Sequence, residues 1–362
     1  MKSINKIITL KISAVLITFI MCYLVISNYY DLIENKEFIS KISYLGFSTI
    51  IIVFPYLIIT LSDTFGWLIC FSKKMLHRST GKLFAIRVAT EALHTSLPGG
   101  AAYAELVRPY LLKKHLQLEY SESISANIIT KINILVAQVI FLICGLLIFI
   151  LIFSDTMNST QFLSNPLFYP VSIIFISVIF LFTYLLYRKN LLLWVIHILG
   201  KIDISILRNI LAKIRKPVLE INNSICIFSQ NHRVKLILTI AFFLFTWMLL
   251  SFESLVILKV IGIEASISQM ILIESLISII RIFFFFIPGA LGPQDAGLII
   301  LFNLVGFPDP ISNAILFVFL KRFKELVWII IGYIMLLLLG IRPGKLFKSN
   351  SMNIVASKKV IT

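Results

Sequence analysis

Apolar residues run in long blocks along this chain, and the blocks are interrupted at intervals that suit a bilayer better than a globule. Crossing the hydrocarbon core takes about 20 mostly apolar residues. Six segments reach that length, roughly 12–29, 44–71, 123–153, 167–187, 236–258 and 312–340. Two further stretches, about 78–112 and 267–306, are each broken by Pro-Gly. The pattern predicts an all-α polytopic membrane protein with six spans and two broken, re-entrant segments. Deeper insertion of the broken segments gives eight helices as the alternative, which the apolar run from Ile267 to Ile287 permits. No cleavable signal is expected, because the first apolar run lacks a small-residue cleavage site and is long enough to span.

The polar interruptions repeat at an offset of 190. Leu97-Pro98-Gly99 matches Ile287-Pro288-Gly289, and seven residues beyond each proline stands an acid, Glu105 and Asp295. Lys131 then matches Lys321, and upstream Asp63 matches Glu253. Five matched polar or breaker positions without a gap point to duplication within a single transmembrane domain, 1–340. The halves are 1–153 and 167–340, and a basic tail, 341–362, follows. Three spans per half require the halves to cross the bilayer in opposite senses, an inverted repeat.

Composition supports a membrane protein and reassigns the charge. Of the residues 59% are hydrophobic and 14% charged, with mean hydropathy +0.98. Soluble domains are nearer 45–50% apolar and 25% charged. A net charge of +16 would suggest nucleic acid in a soluble protein. Here the cations cluster in alternate loops instead. Segments 1–11, 72–114, 188–235 and 342–359 hold three, eight, nine and five basic residues, 25 of the chain's 33. The excess places both termini in the cytoplasm, with no nucleic-acid partner. Within 188–235, Leu199, Ile202, Ile206, Ile210 and Ile214 recur at helical spacing opposite Lys201, Arg208, Lys213 and Arg215. That reads as a basic amphipathic helix on the inner leaflet, or else as a partner-binding surface. Cys22, Cys70, Cys144 and Cys226 lie in or beside apolar runs and read as core residues, without a disulfide framework or metal site.

The chemistry concentrates at the breaks and the intramembrane charges. Freed backbone groups in hydrocarbon cost several kcal/mol unless buried in protein or lining a wet cavity. Helices restarting after Pro98-Gly99 and Pro288-Gly289 would aim N–H groups and a positive dipole end at an occupant, which favours an anion such as phosphate. An unpaired charge at the lipid-facing midplane costs about 2.5–3.5 kcal/mol, so Asp63, Glu91, Glu105, Lys131, Glu253, Glu274, Arg281, Asp295, Lys321, Arg322, Lys324 and Glu325 should face one another or water. The repeat proposes two pairs, Glu105 with Lys131 and Asp295 with Lys321 or Arg322. Three cations at 321–324, placed near the outer boundary of the last span, suggest a site for anionic headgroups. Arg108 suits either such a site or the inner surface, and Lys131 lies near enough to a span end to snorkel. His94 and Trp67 read as packing residues, and Phe283–Phe286 as lipid-facing or core filler. No metal or cofactor is implied.

Two stretches carry a resemblance. Leu97-Pro98-Gly99-Gly100, followed by Glu105-Leu106-Val107-Arg108-Pro109-Tyr110-Leu111-Leu112, resembles one signature of the flippase-like transmembrane domain of lysylphosphatidylglycerol synthases. Ile287-Pro288-Gly289-Ala290-Leu291-Gly292-Pro293-Gln294-Asp295-Ala296-Gly297, with Lys321-Arg322, is similar to the other, although Asp295 stands where the family usually has Glu. The likeness extends over roughly 10–340. It implies handling of a lipid whose headgroup carries phosphate, anionic, aminoacylated or glycosylated. The separate soluble domain that makes aminoacylated phosphatidylglycerol in two-part synthases has no counterpart among these segments, so synthase activity is not implied.

The expected function is a lipid translocase in a bacterial inner membrane, working by alternating access. Pro98, Gly99, Glu105, Arg108, Lys131, Pro288, Gly289, Asp295, Lys321 and Arg322 are expected to meet the headgroup. Asp63, Glu91, Glu253, Glu274, Arg281 and Glu325 are expected to form the surrounding charge network. A membrane-embedded transferase and a helper subunit of a lipid-modifying synthase or transferase are the alternatives. No P-loop, HExxH or GxSxG motif supports an enzyme.

Overall fold

The computed structural model describes residues 46, 48–71, 80–97, 99–156, 219, 222, 223, 228 and 233–341, excepting the side chains of 48 and 150–156. The expected spans 12–29 and 167–187, most of the amphipathic segment 188–235, Pro98 and nearly all of the tail 341–362 lie outside the described residues. Every described element is helical. A turn, Ser48–Ile51, leads into α1 (Phe54–Ile69), followed by α2 (Thr80–Ser96), α3 (Gly100–Leu116) and α4 (Tyr120–Thr156). The second group is α5 (Arg233–Ile261), α6 (Ile267–Phe283), α7 (Pro293–Val305) and α8 (Pro310–Leu338). A 3-10 turn, Pro288–Ala290, separates α6 from α7.

The offset of 190 recurs in three dimensions. Shifted by it, α2 overlaps α6, α3 overlaps α7, and Tyr120, the first residue of α4, falls on Pro310, the first of α8. Both break glycines are left-handed, Gly99 at φ 65° and Gly289 at φ 55°, a backbone that costs a side-chain-bearing residue about 1–2 kcal/mol. At Gly100 the turn is so tight that a Cβ would lie 2.3 Å from the Leu93 carbonyl oxygen. Each broken segment is therefore a helix hairpin, whose first arm of 17 residues rises only ~25 Å, short of the ~30 Å hydrocarbon core.

The halves interlock. α1 packs against its counterpart α5, α2 against α8, and α4 against α6. Glycines permit the closest crossings. On α8, a Cβ at Gly332 would meet the Ala92 Cβ of α2 at 2.4 Å, and on α4 a Cβ at Gly145 would overlap the Ser275 side chain of α6. The ends are tied as well, since Lys114 Nζ donates to the Leu339 carbonyl at the C-terminus of α8, 3.0 Å. Two cores result. One gathers Trp67, Leu83, Ile86, Leu111 and Leu336 beside the first hairpin, the other Ile257, Ile273, Leu298, Phe302 and Phe317 beside the second.

Among the described residues, three helices are long and apolar enough to cross a membrane, Thr49–Ile69, Tyr120–Phe149 and Arg233–Ile261. Their outer faces leave Ile50, Phe54, Ile58, Ile237, Phe245 and Phe252 exposed, a belt that water would not tolerate and lipid would cover. α8 is as long as α5 but carries Lys321, Arg322, Lys324 and Glu325 at its centre. Eleven residues of α8 precede the cluster and thirteen follow it.

Candidate functional site

The intramembrane charges gather where the two hairpins face each other. Seven cations (Arg87, Arg108, Lys131, Arg281, Lys321, Arg322, Lys324) meet seven carboxylates (Asp63, Glu91, Glu105, Glu253, Glu274, Asp295, Glu325), in four triads and one pair. In two triads a carboxylate lies between two cations. Glu105 takes Arg108 and Lys131, each at 3.1 Å. Glu274 takes Lys321 in a short contact, Arg281 at 3.1 Å and the Ser254 hydroxyl at 2.6 Å.

In the other two triads a guanidinium lies between two carboxylates. Arg87 is 2.5 Å from Asp63 and 3.9 Å from Glu91, and Glu91 lies 3.5 Å from His94 Nδ1. Arg322 contacts Asp295 and Glu325, both at 2.6 Å, and donates to the Gly289 carbonyl at 3.0 Å. Asp295 in turn accepts from the Gly292 backbone N–H, 3.0 Å, at the start of α7. The fifth group is Lys324 with Glu253 at 2.8 Å, the Lys324 ammonium also lying over the Tyr56 ring.

Both pairs suggested by the repeat are thus in contact, Glu105 with Lys131 and Asp295 with Arg322. The alternative partner of Asp295, Lys321, turns to Glu274 instead. Arg87 and Arg108, counted by sequence with the inner-surface cations, are buried in the first hairpin. Arg108 donates to the Thr90 hydroxyl and lies over the Trp67 ring, 5.4 Å from its centroid. It does not reach for the surface. Trp67 is a packing residue, as expected, with its indole N–H on Asn127.

A cavity of about 520 Å³ runs between the halves. Arg108, Lys131, Gly289 and Lys321 line it, as do Asp63, Glu91, Arg281 and Glu325. Glu105, Glu253, Glu274, Asp295 and Arg322 stand behind that lining as partners of lining cations or as supports of the second break. The breaks meet at its edge, where the Gly99 N–H points at the Phe286 carbonyl, 3.4 Å away, and Pro288 is buried beside Gly289. Sequence reasoning missed Arg87, His94, Gln138, Gln294 and the aromatic lining of Tyr56, Trp247 and Trp328. The spacing of Arg87 and Glu91, four residues apart on one helix, was the available signal. His94, expected to pack, instead faces the cavity.

Helices with an exposed apolar belt and a charged internal cavity define an integral membrane protein. The chain belongs to the family described as lysylphosphatidylglycerol synthase TM region, whose profile matches residues 7–340, nearly the whole sequence. That membership gives it a role connected with membrane lipids. No curated relative and no solved structure matches it.

Proposed function

We propose that the protein is a lipid translocase, in which a phosphate-bearing headgroup crosses the bilayer through the charged cavity while the acyl chains stay in lipid. The carrying observation is the cavity itself. It lies between two halves related by the 190-residue offset, both break glycines are left-handed, and the two breaks touch at its edge. Charged lining in an apolar body suits a headgroup, and helix breaks that meet between repeats suit alternating exposure. On this reading the broken segments are re-entrant within a six-span arrangement, both termini are cytoplasmic and the membrane is a bacterial inner membrane. The chain itself performs no bond chemistry, and the lipid-modifying enzyme that supplies its cargo is a separate partner. The test is transfer of fluorescently labelled phospholipids across proteoliposomes. Protein-dependent loss of leaflet asymmetry is expected, and a rate equal to that of protein-free vesicles overturns the proposal.

A further inference from the structure

The cavity has two walls of opposite character. One is built from α4 and α6, the other from α2 and α8, and the offset of 190 carries the first pair onto the second. The charges do not follow that symmetry. Glu91 on α2 falls at the position of Arg281 on α6, so equivalent places on the two walls carry opposite charge. The triads amplify this. In the two triads centred on a carboxylate, Arg108 of α3 and Lys321 of α8 are nearly inaccessible, with 3% of each side chain exposed, and they neutralise Glu105 and Glu274. The second cation of each triad is left with surplus charge, Lys131 with 48% of its side chain exposed and Arg281 with 28%.

These two cations lie at similar levels along the wall. Gln138 Nε2 donates to the Ser278 carbonyl, and Gly145 meets Ser275, so α4 and α6 run antiparallel. With a rise of 1.5 Å per residue, Lys131 and Arg281 differ in level by only ~6 Å. On the facing wall Arg87, Lys321 and Lys324 also line the cavity but expose only 10%, 3% and 3% of their side chains, less than the carboxylates beside them. Arg87 and Arg322 each serve two carboxylates, which leaves Glu91 and Glu325 to line the cavity. Glu91 is the freer, 31% exposed, its ion-pair partners among the described residues being Arg87 at 3.9 Å and His94 at 3.5 Å.

We infer that the cavity is a two-ended site for a net-neutral, zwitterionic phosphodiester headgroup, with the phosphate between Lys131 and Arg281 and an N–H-bearing ammonium against Glu91 and Glu325. Among the described residues, the balance of seven cations and seven carboxylates favours a cargo that adds no net charge, because an unmatched charge would remain uncompensated in a low-dielectric site. The inference rests on the translocase reading for how the headgroup reaches the cavity, but binding is measurable without transport.

The experiment titrates dioctanoyl phosphatidylethanolamine, phosphatidylglycerol and phosphatidylcholine, with inorganic phosphate as a fourth arm, into the purified full-length protein in maltoside micelles. Tryptophan fluorescence reports, because Trp247 and Trp328 line the cavity. The ethanolamine lipid is expected to bind roughly tenfold more tightly than the other two, the scale of one charge-assisted hydrogen bond. Arg281→Gln should weaken all three lipids at least fivefold. Glu91→Gln should abolish only the preference for ethanolamine. Lys259→Gln, on the exposed end of α5, should bind as the unmodified protein does. Equal affinity for the three lipids overturns the inference, as do unchanged titrations of Arg281→Gln and Lys131→Gln, or inorganic phosphate binding as tightly as any lipid. Binding in the expected order without transport in vesicles overturns the translocase reading alone. Transport that ignores Arg281 and Glu91 overturns the site alone.

Discussion

At the scale of single residues, the molecule is governed by the cost of placing charge in an apolar body. Lys324 and Glu253 illustrate it, since 3% of the lysine side chain is exposed and none of the glutamate. Removing one partner of a buried pair strands the other, which typically costs 3–5 kcal/mol, whereas replacing both with apolar groups of similar size is close to neutral. Glu253→Gln and Lys324→Met should each lower the thermal midpoint in detergent markedly, and Glu253→Leu/Lys324→Met should recover most of the loss. A double variant no more stable than the singles would show that the pair is not an isolated unit. Glu105 and Lys131 are different, both being part-exposed. There Lys131→Gln, which leaves Glu105 its Arg108 partner, should lower the thermal midpoint much less than Lys324→Met does.

At the scale of elements, the hairpins and their partners are held by close helix crossings that leave no room for a side chain. Gly332→Val on α8 would drive branched carbons into Ala92 and the Val88 carbonyl. A destabilisation of about 1–3 kcal/mol is expected, read as a lower melting temperature with the helical signal retained. Gly81→Ala, where a Cβ would meet nothing, should leave the melting temperature unchanged or slightly raised.

The elements were largely legible in the sequence, because helix breaks and their offset are local facts. Pro-Gly at 98–99 and 288–289 marked both hairpins, and the repeated acid marked where each second arm begins. Their partners were not legible. Lys321 pairs with Glu274 across two helices, a contact set by how α6 and α8 pack. Arg87 and Arg108 looked like inner-surface cations because a charge count along the chain cannot tell a loop from a hairpin buried between other helices.

At the scale of the whole molecule, the two halves exchange contacts so that each wall of the cavity is made by both, α4 with α6 and α2 with α8. Neither half has a complete site alone. On the proposed translocase reading, relative motion of the walls opens the cavity first to one face of the membrane and then to the other. Gln138 reports on this directly, since it lines the cavity on α4 and carries no charge whose loss would confuse the result. The decisive measurement places Gln138→Cys in a protein whose four native cysteines are replaced, and labels it with a membrane-impermeant maleimide in right-side-out and in inverted vesicles. Alternating access predicts labelling from both faces, slowed by lipid that occupies the cavity. Labelling confined to one face, whatever lipid is supplied, would contradict it.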